Sequence, residues 1–209
     1  MSRSRLVALT GALAVTAGVA VAAVPTSASA EHRERASAVL LGADGLSVGR
    51  VSFLGDEANV TEVRVTVRLP RSAPAAGFHG IHVHANDDPA NGSGCVASPA
   101  QPSSTWFVSA DGHLAQSGQT HGAHAGDLPP LLVTVNGRAS STSITDRVAV
   151  RDLLRRAVVL HVGADNLGNI PIGDAPTQYE PNSTEATSLT ARTGNAGDRL
   201  ACGVITARR

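Results

Sequence analysis

Polar and apolar residues alternate without a break from Glu62 to Leu69, so that Val63, Val65, Val67 and Leu69 leave one face and Glu62, Arg64, Thr66 and Arg68 the other. A two-residue period is that of a half-buried antiparallel strand. Ala38 to Leu41, Leu46 to Leu54, Ile81 to His84, Leu131 to Val135, Ala157 to Val162 and Ala201 to Thr206 are further β-rich runs, with Ala43-Asp44-Gly45 and Asn136-Gly137 as turns between strands. No segment has the pattern of a long helix. Seven or eight short strands predict an all-β sandwich or barrel. Two stretches interrupt it, Asn86 to Asp127 and Ala164 to Arg199, both rich in Gly, Pro, Ser and Thr. Loops of that length in a compact domain usually carry function, so the chemistry is expected there.

The N-terminus follows a different pattern. Arg3 and Arg5 precede an apolar run from Leu6 to Val24, followed by Pro25 and Ala28-Ser29-Ala30. This is the layout of a secretory signal over residues 1–30, cleaved before Glu31. A retained anchor is the competing reading, because the run is long enough to span a bilayer. Residues 31–37, with His32, read as a flexible lead-in, and 38–209 as one domain. The expected location is secreted, extracellular or in the cell envelope, with no membrane association after cleavage.

Composition narrows the function. The chain has 17 Arg and no Lys against 17 acidic residues, and without the signal 15 Arg against 17 acids leave a formal charge of −2. That balance argues against a nucleic-acid partner. There are two cysteines, Cys95 and Cys202, and outside the cytoplasm the one bridge they can form within the chain is favoured over two free thiols. Eight histidines outnumber the five Phe, Trp and Tyr together.

The histidines group by spacing. His82 and His84 are two residues apart in a β-like run and leave the same face, close enough to share a metal ion; two hydrogen-bonded histidines would look the same. His113, His121, His124 and Asp127 offer three imidazoles and a carboxylate within one loop, a set suited to tetrahedral zinc. His161 ends an apolar run, as either a core histidine or a ligand. Imidazole-only ligation suits copper, and mixed imidazole and carboxylate suits zinc.

These residues also resemble a known family. Gly77-Phe78-His79-Gly80-Ile81-His82-Val83-His84 and Gly194-Asn195-Ala196-Gly197-Asp198-Arg199-Leu200-Ala201-Cys202-Gly203-Val204-Ile205 follow the two signatures of copper/zinc superoxide dismutases. Between them, His124-Ala125-Gly126-Asp127-Leu128-Pro129 and His161-Val162-Gly163-Ala164-Asp165-Asn166 are similar to that family's zinc and second metal-loop segments. The resemblance spans about residues 38 to 206 and implies an eight-stranded Greek-key β-barrel with two long functional loops.

It further implies copper held by His82, His84, His113 and His161, and zinc by His113, His121, His124 and Asp127, with His113 bridging the two ions. The implied activity is dismutation of superoxide to dioxygen and hydrogen peroxide by alternate reduction and reoxidation of copper. Arg199 is implied as the anion-docking residue, tethered by the Cys95–Cys202 bridge, and Arg192 and Thr193 as substrate guides. Asp165 is implied to link a copper histidine to a zinc histidine, and His79 to be structural. A homodimer is compatible with the resemblance. The competing function is a non-catalytic copper-binding or copper-delivery protein on the same barrel. A zinc hydrolase would need an open zinc position, which four ligands close. Asp111-Gly112-His113-Leu114 departs from the usual G-[GP]-H-[FY], the stretch from Cys95 to His113 is long, and Ala85-Asn86 stands where Glu-Phe is frequent.

Overall fold

The computed structural model describes residues 34–56, 59–70, 76–174 and 182–208. The expected signal segment and His32 lie outside them. Among the described residues no helix is long and apolar enough to cross a membrane.

Among the described residues ten strands carry the fold: β1 Arg35–Gly42, β2 Ser47–Gly55, β3 Thr61–Arg68, β4 Gly77–His79, β5 Ile81–His84, β6 Leu131–Val133, β7 Arg138–Thr145, β8 Ala157–His161, β9 Arg199–Val204 and β10 Thr206–Ala207. Seven of them form an antiparallel sheet in the order β5-β8-β9-β1-β2-β3-β7, and β10 adds to β1. β4 and β6 form a separate antiparallel pair. β4 runs into β5 through Gly80, and β6 returns into β7 through the Asn136-Gly137 turn, where Gly137 takes φ 71°. The small pair is thus continuous in sequence with both ends of the large sheet, and the curled whole is the all-β fold expected from the alternation, in the barrel form that the resemblance implies.

Two corrections concern the ends and gaps of the pattern. Residues 35–37, read as part of a flexible lead-in, begin β1, where Ala36 is buried and pairs with Phe53 and Ala207. The apolar alternation of this strand starts two residues earlier than the run Ala38 to Leu41 suggests. Besides a one-turn helix, α1, Val150–Leu153, the described residues hold a ten-residue helix, α2, Thr184–Thr193, inside the stretch from Ala164 to Arg199. Its Thr-rich sequence is a weak helix former, but its ends are well made. The Ser183 hydroxyl accepts from the Ala186 N–H, Glu185 and Arg192 complement the helix dipole, and Gly194 closes it at φ 59°.

The main core fills the inner face of the sheet with Leu40, Val51, Phe53, Val63, Val65, Ile81, Val83, Val158, Leu160 and Ile205. Strand parity then places His82, His84 and His161 on the opposite face of β5 and β8. That outer face is also buried, because the segment after the disulfide packs Phe107, Ala110 and Trp106 against Ala157, Val159 and Cys202. β8 is consequently buried at every position, which is why it reads as an unbroken apolar run.

Candidate metal centre

The site sits outside the barrel, where β5 and β8 pair with His82 opposite Val159 and His84 opposite Ala157. On its free side β5 is covered by the first long loop: Val83 donates to Gly126 O, Leu114 donates to Val83 O, and Ala85 donates to Gly112 O. These bonds carry His113 and Asp127 to the strand, as isolated bridges between His84 and His113 and between His82 and Asp127. The second long loop closes from the other side, with the His121 N–H donating to Ala191 O near the end of α2.

Among the described residues two groups of side chains offer ligand atoms within 4.8 Å of one another: His82, His84, His113 and His161, and His82, His113, His121 and Asp127. The first is the set expected for copper. The second has His82 where the sequence places His124, yet His124 Nδ1 lies 3.3 Å from both His113 Nδ1 and Asp127 Oδ1, so it converges on the same point. His82 can serve only one ion, because its Nε2 donates to Asp165 Oδ1 at 2.9 Å and only Nδ1 remains.

Hydrogen bonding sorts the ring nitrogens. His84 Nδ1 donates to Asp111 O at 2.8 Å and His161 Nδ1 to Gly197 O at 3.0 Å, since a carbonyl can only accept. Each ring therefore presents a bare Nε2, and these two lone pairs face each other 3.4 Å apart. Such a contact is repulsive unless a cation lies between. His82 Nδ1 and His121 Nδ1 are buried without hydrogen-bond partners. Buried polar atoms are nearly always satisfied, so bare nitrogens converging with a carboxylate fit two bound metal ions.

Asp165 links the halves, with its Oδ1 2.9 Å from His82 Nε2 and 3.5 Å from His121 Nε2. Two glycines permit the approach. A Cβ on Gly80 would lie 2.5 Å from Asp165 Oδ1, and one on Gly194 would lie 2.3 Å from His121. His79 stays outside both groups, with its Nδ1 2.9 Å from His161 O.

Arg199 reaches the site because of a bulge. β8 and β9 pair Leu160 with Ala201 and then His161 with Arg199, so Leu200 is the extra residue. In a regular strand Arg199 and Cys202 would leave opposite faces; the bulge turns Arg199 to the histidine side. Its guanidinium donates to Phe107 O and Asp111 O. A cleft of about 580 Å³ opens here, lined by His84, His113, His161, Arg192, Thr193 and Arg199. Thr193 spends its hydroxyl on Leu189 O and the Asn195 N–H, whereas Arg192 is exposed. The bridge is formed, with Cys95 and Cys202 Cα atoms 5.5 Å apart. The carbonyls of Phe107 and Asp111 give the long stretch after Cys95 a role at the site that sequence could not signal.

Burial pushes His84 well below its ordinary range, helped by the neighbouring His113, Arg199 and His161, and lowers His113 to about 4 and His161 to about 3. Burial would raise Asp127, but the His113 hydrogen bond and the surrounding histidines hold it at about 2. Burial would lower His121, but the facing Asp165 and Asp127 carboxylates prevail and raise it.

A pH dependence follows. Three bases kept neutral by folding contribute stability that is full above their ordinary 6.5 and is lost as the unfolded chain protonates first at lower pH. His121 acts oppositely, and Asp127 adds to the acid loss below its ordinary 3.8. Calorimetry of the metal-free protein should show its unfolding midpoint fall steadily from pH 7 toward 4. A midpoint that rises on this acidification would mean that His121 outweighs the other three.

The copper/zinc superoxide dismutase family model matches residues 47–205. The chain is 36% identical over 135 residues to the superoxide dismutase [Cu-Zn] of Mycolicibacterium paratuberculosis, an alignment covering 62% of this chain and 56% of that protein, little more than half its length. It is 34% identical over 178 residues to the superoxide dismutase [Cu-Zn] of Mycobacterium tuberculosis, covering 81% of this chain and 69% of that protein. The crystal structure of the clock protein EA4 superposes with a TM-score of 0.58 at 25% identity, over 83% of this chain and 94% of that one.

Proposed function

The chain belongs to the copper/zinc superoxide dismutase family, and from that premise we propose that it dismutates superoxide at the site between β5, β8 and the two long loops. The observation that carries the reading is the pair of unprotonated nitrogens, His84 Nε2 and His161 Nε2, facing each other 3.4 Å apart beside Arg199. When bound, copper supplies the one-electron cycle and zinc a fixed charge that does not change oxidation state.

This chain's residues do the rest. His82 Nδ1, His84 Nε2 and His161 Nε2 would hold copper. His121, His124 and Asp127 would hold zinc, and His113 would join the two through its separate nitrogens. The Nδ1 of His113 lies 3.0 Å from Asp127 Oδ1, so its Nε2 would be the atom that holds and releases the proton needed for peroxide. Arg199 stays charged at any working pH and docks the anion beside His84 and His161. Arg192, exposed at the rim, guides it inward, and Thr193 shapes that rim through its helix-end hydrogen bonds. Asp165 orients His82 and His121 together. The formed disulfide supports work outside the cytoplasm, in keeping with the signal read at residues 1–30.

Superoxide decay measured with copper- and zinc-loaded protein tests this. Wild type should consume superoxide, and Arg199→Ala should be slower by about tenfold to a hundredfold, the worth of losing charge-assisted hydrogen bonds. An inactive loaded wild type, or an undiminished rate in the variant, would overturn the reading. Copper uptake without turnover would identify a copper carrier instead.

A further inference from the structure

Asp111 adopts φ 65° and ψ −157°, a backbone region open essentially only to glycine and costing another residue about 1–3 kcal/mol. Its side chain offsets that strain. Asp111 Oδ2 accepts from the backbone N–H of Asp87 at 2.7 Å and of Asp88 at 2.8 Å, and Oδ1 accepts from Asn91 Nδ2 at 2.9 Å. The turn that supplies these donors is itself fixed. Arg156 binds Ala85 O at 2.6 Å and Asp87 Oδ2 at 2.5 Å, and Asp88 Oδ1 accepts from the Ala90 N–H at 2.8 Å. The carboxylate is therefore tied to a braced turn that begins three residues after His84.

The other end of the same residue faces the site. Asp111 O accepts from His84 Nδ1 at 2.8 Å and from the Arg199 guanidinium, so one peptide oxygen, with both lone pairs engaged, orients a proposed metal ligand and the anion-docking arginine together. We infer that Asp111 is a positioning residue, whose carboxylate pins its own carbonyl to the 87–91 turn and so fixes His84 and Arg199 relative to each other. The inference rests on the dismutase reading for what those two side chains do. Glycine would adopt the same backbone without strain but would leave the carbonyl untethered.

The test uses Asp111→Gly and Asp111→Asn in the full chain loaded with copper and zinc. Glycine removes the tether and the strain together, while asparagine keeps the shape and an acceptor oxygen. Azide binding, followed by copper absorption, reports on anion docking, and the Cu(II) paramagnetic resonance spectrum reports on His84. For Asp111→Gly we expect azide affinity to fall about tenfold, the scale of one lost charge-assisted network, and the copper spectrum to shift. Asp111→Asn should recover most of both. Unchanged azide affinity and an unchanged copper spectrum in Asp111→Gly overturn the inference. So does a lowered unfolding midpoint with both signals intact, the mark of a staple that serves the fold alone. If the loaded wild type takes up copper but does not consume superoxide, the dismutase reading fails while the azide and resonance measurements still judge Asp111.

Discussion

Replacing Cys95 and Cys202 together with serine should lower the unfolding free energy by about 4–5 kcal/mol, the chain-entropy value for a closed loop of roughly a hundred residues. The two cysteines are 107 positions apart, so the bridge restricts more than half of the domain in the unfolded state. A second loss should accompany the first. Cys95 begins the segment that packs Phe107 and Ala110 onto β8 and β9 and supplies the carbonyls gripping Arg199. Freed at Cys95, that segment keeps only its small apolar cluster and hydrogen bonds such as those from Asp111 to the 87–91 turn. Denaturant unfolding measures the first effect, and superoxide decay under conditions where the variant remains folded measures the second. If stability changes by less than about 1 kcal/mol, native strain cancels the entropic gain. If activity persists in the folded variant, the Phe107 cluster and the Asp111 tether are sufficient to hold the arginine.

Asp165→Asn should reduce zinc affinity by about tenfold to a hundredfold, the usual consequence of removing a carboxylate that orients metal-bound histidines. The effect should reach copper as well, because one oxygen, Asp165 Oδ1, faces both His82 Nε2 and His121 Nε2. These histidines and bonds hold the Asp165 carboxyl well below its usual range, although burial would raise it. Its charge is therefore part of the site. Asparagine would keep one acceptor but lose that charge, and its NH2 group would occupy a place where Asp165 Oδ2 now has no partner. Chelator competition with each metal separately checks this. Weakened copper with unchanged zinc would confine Asp165 to orienting His82.

How much could be read in advance differs from element to element, for physical reasons. β3 and β8 are evident because a buried face forces valine and leucine into a two-residue or continuous pattern. β7 is not, since its sequence of Ser and Thr leaves only Ala139 deeply buried and the strand is recruited by pairing with β3 from Thr61↔Thr145 to Arg68↔Arg138. α2 was hidden by its threonines, and its Ser183 cap and Gly194 stop were the available signals. Asn86, standing where the family pattern has an aromatic, acts through its backbone and its amide. It takes φ 48°, donates from Nδ2 to Arg155 O and accepts from the Gly94 N–H at 2.7 Å, thereby latching the start of the loop.

By itself the sequence determined the all-β class, the shared face of His82 and His84, the cluster from His113 to Asp127 and the single available disulfide. Each of these depends on local spacing, side-chain type or a count of two. Only the tertiary structure decided which nitrogen each ring leaves bare, that Asp165 spans both halves, that the Leu200 bulge turns Arg199 toward the histidines, and that Asp111 O gathers His84 and Arg199. Those facts depend on atoms from segments far apart in the chain meeting within hydrogen-bond distance, and no one-dimensional pattern encodes such contacts.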